Sequence, residues 1–97
     1  MELRFEWDEK KNIVNQKKHG ISFEEATMVF FDPMSYETYD GIHSLIERRW
    51  IRVGLAGCKI LKVVFTERNG RIRLISARKA DNTDKEEYYY GYGTNNS

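Results

Sequence analysis

The sequence predicts an α+β fold, an antiparallel sheet of three to four strands with helices packed on one face. Three observations predict it. Strand-like runs at 47–55, 60–67 and 71–77 are separated by turn residues. Helix-start signals at Asp8 and at the "SFEE" box precede them, and a third such signal, "TDKE", follows. Two helices, a meander and a closing helix suit one sheet with a helical layer.

Each element has its own reason. Residues 4–7, "RFEW", alternate as a strand does. Asp8 can cap a helix over about 9–18, which His19 and Gly20 then stop, a basic last turn followed by glycine. Ser22 with Glu25 forms a capping box for a second helix presenting Phe23, Ala26, Val29 and Phe30 to a core, ended by Asp32-Pro33. Residues 34–39 suit a short edge strand, and "DGIHS" at 40–44 an exposed loop. "LAGC" and "RNGR" turn the meander, the second being the Asn-Gly hairpin signal. Thr83 with Glu86 predicts a last helix over about 84–91, and residues 92–97 are polar and suit a flexible tail. With 97 residues, 40% of them hydrophobic, the chain suits a single domain spanning 1–97.

A two-residue turn at Asn69-Gly70 sets Glu67 opposite Ile72, Thr66 opposite Arg73 and Phe65 opposite Leu74. Continued without interruption, this register gives a core face of Leu61, Val63, Phe65, Glu67, Ile72, Leu74, Ser76 and Arg78. The other face holds Ile60, Lys62, Val64, Thr66, Arg71, Arg73, Ile75 and Ala77. A three-residue turn within 55–58 sets Ile51 opposite Leu61 and adds Trp50 and Arg52 to that second face; a slip of one residue exchanges them for Ile51 and Val53.

Charge is distributed unevenly. Residues 1–47 hold five Lys/Arg against ten Asp/Glu, whereas residues 48–79 hold ten against Glu67 alone. Residues 80–97 set Lys85 against four acids, so a net charge of +1 conceals a basic third. Such a field suits a polyanion at one face. Neutralisation of the strands by the acidic helices is the competing reading. On the open face, Arg52, Lys62, Arg71 and Arg73 suit phosphates and Trp50 suits a stacked base; an ordinary solvated face is the alternative.

No apolar run approaches the roughly 20 residues of a membrane span, and "MELRFEWDEKK" has no signal-peptide core. Cys58, the one cysteine, excludes an internal disulfide framework, which together with the rest predicts a cytoplasmic protein without membrane association. Two histidines 24 positions apart and one cysteine match no metal-ligand spacing, and no phosphate-binding glycine loop or nucleophile elbow occurs; neither metal nor cofactor is expected. If the anion is RNA and it is cut, a base must take the 2′-hydroxyl proton and cations must hold the phosphate. The base candidates are Glu67, His19 and Lys62. Glu67 could equally be an ion-pair partner of nearby arginines, and His19 a helix cap. His43, in a loop, has no sequence argument in its favour. Trp7 reads as core, and Tyr88, Tyr89, Tyr90 and Tyr92 divide between sheet packing and a partner surface.

"FEWDEKKNIVNQKKHGISFEEATMVFFDP" followed by "FTERNGRIRLISARKADNTDKEEYY" resembles the BrnT-like toxins of bacterial type II toxin–antitoxin systems. The resemblance runs from about residue 5 to residue 90. It implies a RelE-like fold and a metal-independent endoribonuclease that blocks translation. It also implies a cognate antitoxin with a DNA-binding domain, through which the complex represses its own operon and with which it could oligomerise. By motif match Glu67, Arg73 and Arg78 are the catalytic candidates, followed by His19 and Lys62. Two features depart from many relatives, the near-neutral overall charge and a C-terminal "YYYGYGTNNS" in place of an Arg-rich third helix. A non-catalytic RNA-binding or protein-interaction module using the same basic face is the alternative.

Overall fold

The computed structural model describes residues 2–43 and 45–91; the predicted tail at 92–97, and Ser44 of the predicted loop, lie outside these. Strand β1 (Phe5–Glu6) leads into helix α1 (Glu9–His19), whose start is fixed by Asp8 accepting from the Lys10 N–H. Gly20 ends it at φ 72°, a left-handed conformation that a side chain would resist. Ser22 then caps helix α2 (Phe23–Ala26) by accepting from the Glu25 N–H. The Glu25 carboxylate does not complete the expected reciprocal bond among those described but receives Lys59 at 3.1 Å. After one turn the coil tightens to a 3-10 helix, Thr27–Phe31.

Strands β2 (Tyr36–Tyr39), β3 (Trp50–Ala56), β4 (Lys59–Arg68) and β5 (Arg71–Lys79) follow, and helix α3 (Asn82–Tyr90) completes the described chain. The box that starts α3 is Asp81 with Asp84 rather than Thr83 with Glu86, so the helix begins two residues earlier than expected. Among the described residues the sheet has five strands in the order β1-β5-β4-β3-β2. It is mixed, not purely antiparallel, because β1 runs parallel to β5. The strand expected at 4–7 is present as β1, but the count of three to four antiparallel strands did not foresee that it joins the sheet as a fifth strand parallel to β5.

Two registers differ from expectation, and both matter for the site. The β3–β4 turn contains only Gly57 and Cys58, pairing Ala56 with Lys59 and Ile51 with Val64. The three-residue turn is therefore wrong by an odd number of positions, which exchanges the faces of β3. Around Asn69-Gly70, both at positive φ, the β4–β5 pairing starts as expected, but a bulge intervenes at Ile75. Phe65 pairs with Leu74 while Val64 pairs with Ser76. One extra residue rotates the rest of β5 by one step, so Ala77 enters the core and Ser76 and Arg78 leave it.

The faces sort accordingly. Ile21, Phe23, Ala26 and Val29 pack against Ala56, Leu61, Val63, Leu74 and Ala77, and Phe5, Trp7, Phe30 and Ile72 flank this core. Trp7 is thus a packing residue, 6.0 Å from Phe23 in an edge-to-face contact. On the opposite face Val53, Ile60 and Ala80 form a smaller cluster with Tyr36, Ile51 and Tyr88. Helix α3 covers it, so helices lie on both faces rather than one. The Tyr88 hydroxyl donates to Asp32 at 2.6 Å, and Asp32 also accepts from the Leu55 and Met34 N–H groups.

Asn15 closes the stretch of β5 that β1 leaves uncovered. Its amide donates to the Ala77 and Ile21 carbonyls at 2.8 and 2.9 Å and accepts from the Ala77 N–H at 3.2 Å. A buried side chain here completes the pairing that a longer β1 would have made.

Candidate nucleic-acid interface

The bulge at Ile75 determines which cations meet. Downstream of it, Arg78 stands directly opposite Lys62, on the face away from α1 and α2. Like charges opposed across a sheet cost stability unless an anion relieves them. Asp84 of α3 lies 3.6 Å from the Lys62 ammonium. Arg78 makes no ion pair with a described residue, and its charge, with that of Lys62, helps hold Asp81 below the usual carboxylate range, after the larger effect of the hydrogen bond from the Asp84 backbone.

The loop between β2 and β3 roofs this pair and makes a cleft of about 320 Å³. Asp40, His43 and Arg49 line it from the loop, with Lys62, Val64, Ser76 and Arg78 from the strands. The loop is pinned at its base, where the Asp40 N–H donates to the Arg49 carbonyl at 2.9 Å. Thr66 donates its hydroxyl to the Arg48 carbonyl, and Arg68 pairs with Glu47 at 3.0 Å. Within the loop, His43 Nδ1 stands 3.1 Å from both Asp40 oxygens.

The other predicted residues are distributed around this cleft. Arg73 shares the open face but pairs with Glu6 at 3.0 Å, and Arg71 lies 3.8 Å from the same carboxylate. Together with Asp84, Glu6 puts acids on a face expected to have none, so part of the basic third is neutralised internally. Glu67 is exposed at the hairpin end and opposes Ile72, which places it on the face of α1 and α2. At about 3.3 Å per residue it lies roughly 16 Å along β4 from Lys62, and on the opposite side. The structure does not bring Glu67 and Arg78 together.

Trp50 and Arg52 must be moved to the helical face, because Trp50 pairs with Phe65 and Arg52 with Val63. There Trp50 meets Tyr39 edge to face at 5.0 Å. Arg52 donates to Ser35 and Glu37, each at 2.7 Å, and its guanidinium lies 5.4 Å from the Phe30 ring centre. Both are half-buried on that face rather than on the expected one. His19 ends α1 and lines a separate groove of about 310 Å³ with Lys10, Lys11 and Lys18. Ile75 and Ser76 border both that groove and the cleft, so basic side chains flank this part of β5 on two sides.

Sequence reasoning missed Asp40, His43, Arg49 and Ser76. An Asp and a His three positions apart around Gly41 were a readable signal, since that spacing lets a turn pair them. Nothing in "RLISARK" marks the bulge, because Ile75 and Ala77 are equally acceptable as core residues.

A cleft on a sheet face, lined by Lys62, Arg78 and Arg49 and by a loop that carries a His–carboxylate pair, has the charge to hold a phosphate group. Residues 7–84 match the family model described as the ribonuclease toxin, BrnT, of type II toxin–antitoxin systems, and the chain belongs to that family. The match spans α1 to the start of α3 and contains every residue named in the cleft. A comparison with curated proteins finds no match. Membership brings an RNA target and a protein antitoxin. No helix among the described residues is long and apolar enough to cross a membrane.

Proposed function

We propose that this protein is a metal-independent endoribonuclease of RelE-like fold that acts in the cytoplasm and blocks translation by cutting RNA. A cognate antitoxin silences it, and that antitoxin's DNA-binding domain carries the complex to its own operator. The observation that carries the reading is the opposed Lys62–Arg78 pair, open to the cleft, in a chain of a ribonuclease toxin family. Between these cations the phosphate gains two charge-assisted contacts, and the charge that builds up during attack by the adjacent 2′-oxygen is stabilised. Arg73 and Arg71 lie farther along the same face and grip neighbouring phosphates once these displace Glu6. His19 and the lysines of α1 extend the track across the β5 edge. Glu67 takes no proton at this phosphate, since face and distance separate it from Arg78.

The antitoxin is supported by the same region. Ile42, Leu45 and Ile46 are 84%, 94% and 100% exposed in the loop beside the cleft. Aliphatic side chains left in water next to a cationic groove suit a partner with apolar anchors and acidic flanks.

Induced expression in bacteria tests the reading. The expected result is growth arrest that is relieved by co-expressing the cognate antitoxin and abolished by Arg78→Ala. Unimpaired growth with abundant folded wild-type protein would sink it.

A further inference from the structure

Cutting RNA without a metal needs a base at the 2′-hydroxyl, and of the base candidates singled out from sequence only Lys62 stands in the cleft. Glu67 is on the other face, and His19 is across the β5 edge. Lys62 is engaged there in an ion pair with Asp84 at 3.6 Å. We propose that His43 is the general base and that Asp40 positions it. This rests on the ribonuclease reading above.

Three observations carry the assignment. His43 lines the cleft that contains Lys62, Arg49 and Arg78. Its side chain is 66% exposed, open to a substrate, whereas that of Asp40 is 13% exposed and sits beneath it. Nδ1 faces both Asp40 oxygens at 3.1 Å, so a proton on Nδ1 is held by the carboxylate and the lone pair lies on Nε2. The Asp40–Arg49 backbone bond fixes the start of the loop against its return, and Asp40 ties His43 to that base.

The step balances as follows. Nε2 of His43 takes the 2′-hydroxyl proton as the 2′-oxygen bonds to phosphorus. The bond from phosphorus to the 5′-oxygen breaks, leaving a 2′,3′-cyclic phosphate. The departing 5′-oxygen takes a proton from Lys62, since the guanidiniums of Arg49 and Arg78 do not release theirs. His43 then releases its proton to solvent and Lys62 regains one.

The test uses purified full-length protein and a defined oligoribonucleotide in EDTA. Cleavage and RNA affinity are measured for wild type, His43→Ala and Asp40→Asn. His43→Ala is expected to lower kcat by about 100-fold or more at unchanged RNA affinity, with added imidazole restoring cleavage in a concentration-dependent way. Asp40→Asn is expected to lower kcat with KM unchanged, by no more than His43→Ala does, as a lost orienting carboxylate does. Cleavage by His43→Ala within about threefold of wild type overturns the inference and leaves the ribonuclease reading standing. So does a loss that follows weakened RNA binding. Absence of cleavage by wild type overturns both.

Discussion

Replacing Asn15 by alanine tests how the fold holds the cleft. The Asn15 side chain makes three buried hydrogen bonds, two with Ala77 and one with the Ile21 carbonyl. Water is poorly placed to replace them, because Asn15 is 6% exposed and Ala77 is fully buried. At about 1 kcal/mol net per bond, the substitution costs about 3 kcal/mol, with a further penalty if any Ala77 group stays unpaired. Against a total stability of about 5–15 kcal/mol this is a large fraction, equivalent to a melting-temperature drop of roughly 12–24 °C in a domain of this size. Asn15→Asp is expected to be worse, since a carboxylate would face two carbonyl oxygens. Urea and thermal denaturation of the purified variants measure both. Ala77 also lies between Ser76 and Arg78, so loosening it frees the strand that aims Arg78. RNA cleavage by Asn15→Ala should therefore decline at temperatures below its own melting point. A loss of less than about 1 kcal/mol for Asn15→Ala would refute the idea that this side chain substitutes for a longer β1.

Three further predictions follow from particular contacts. A methyl group on Gly54 would lie 2.7 Å from Ser35 Cβ and 2.9 Å from Val29 Cγ1, so Gly54→Ala should cost about 1–3 kcal/mol by urea denaturation. Burial first, and then the hydrogen bond and charge of Asp32, push the Tyr88 hydroxyl up to about 12 from 10.0. Its folded value is raised, so the stabilisation is complete below pH 10 and is lost as pH rises from 10 towards 12. Burial opposes ionisation of Asp32, but hydrogen bonds from Tyr88, Leu55 and Met34 outweigh it and hold the carboxyl below 3.8. That contribution is present above this value and is lost as pH falls through the folded one. Tyr88→Phe should abolish the alkaline loss in urea midpoints measured against pH. Finally, Glu6→Gln releases Arg71 and Arg73 and should tighten RNA binding a few-fold with a steeper salt dependence, measured by filter binding across salt concentrations.

Much of the fold was legible because its signals are local. Asp8, Gly20, Ser22 and Asn69-Gly70 each act on their own turn of chain, and each appears where those residue types lead one to expect. The registers were less legible because they depend on counting through turns. Gly57-Cys58 carries no length signal, and an error of one position there sent Trp50 and Arg52 to the wrong face. The Ile75 bulge is chosen by tertiary packing, with Ala77 held by Asn15 from 62 positions away, and no local preference encodes it. The site followed the registers. Lys62 was placed correctly because β4 alternates without interruption, whereas Arg78 came to the open face only through the bulge. His43 was passed over because a loop residue has no periodicity, and its partner in space was not sought in its own turn.

The central claim is that this cleft cuts RNA by attack of the 2′-oxygen. Its most direct measurement is the end chemistry of a defined RNA incubated with purified protein in EDTA, beside a copy carrying 2′-deoxyribose at the cleavage position. The account predicts 2′,3′-cyclic phosphate and 5′-hydroxyl ends, no cut at the deoxy position, and loss of both products with Arg78→Ala. Intact RNA, or cleavage that leaves 3′-hydroxyl ends, would contradict it.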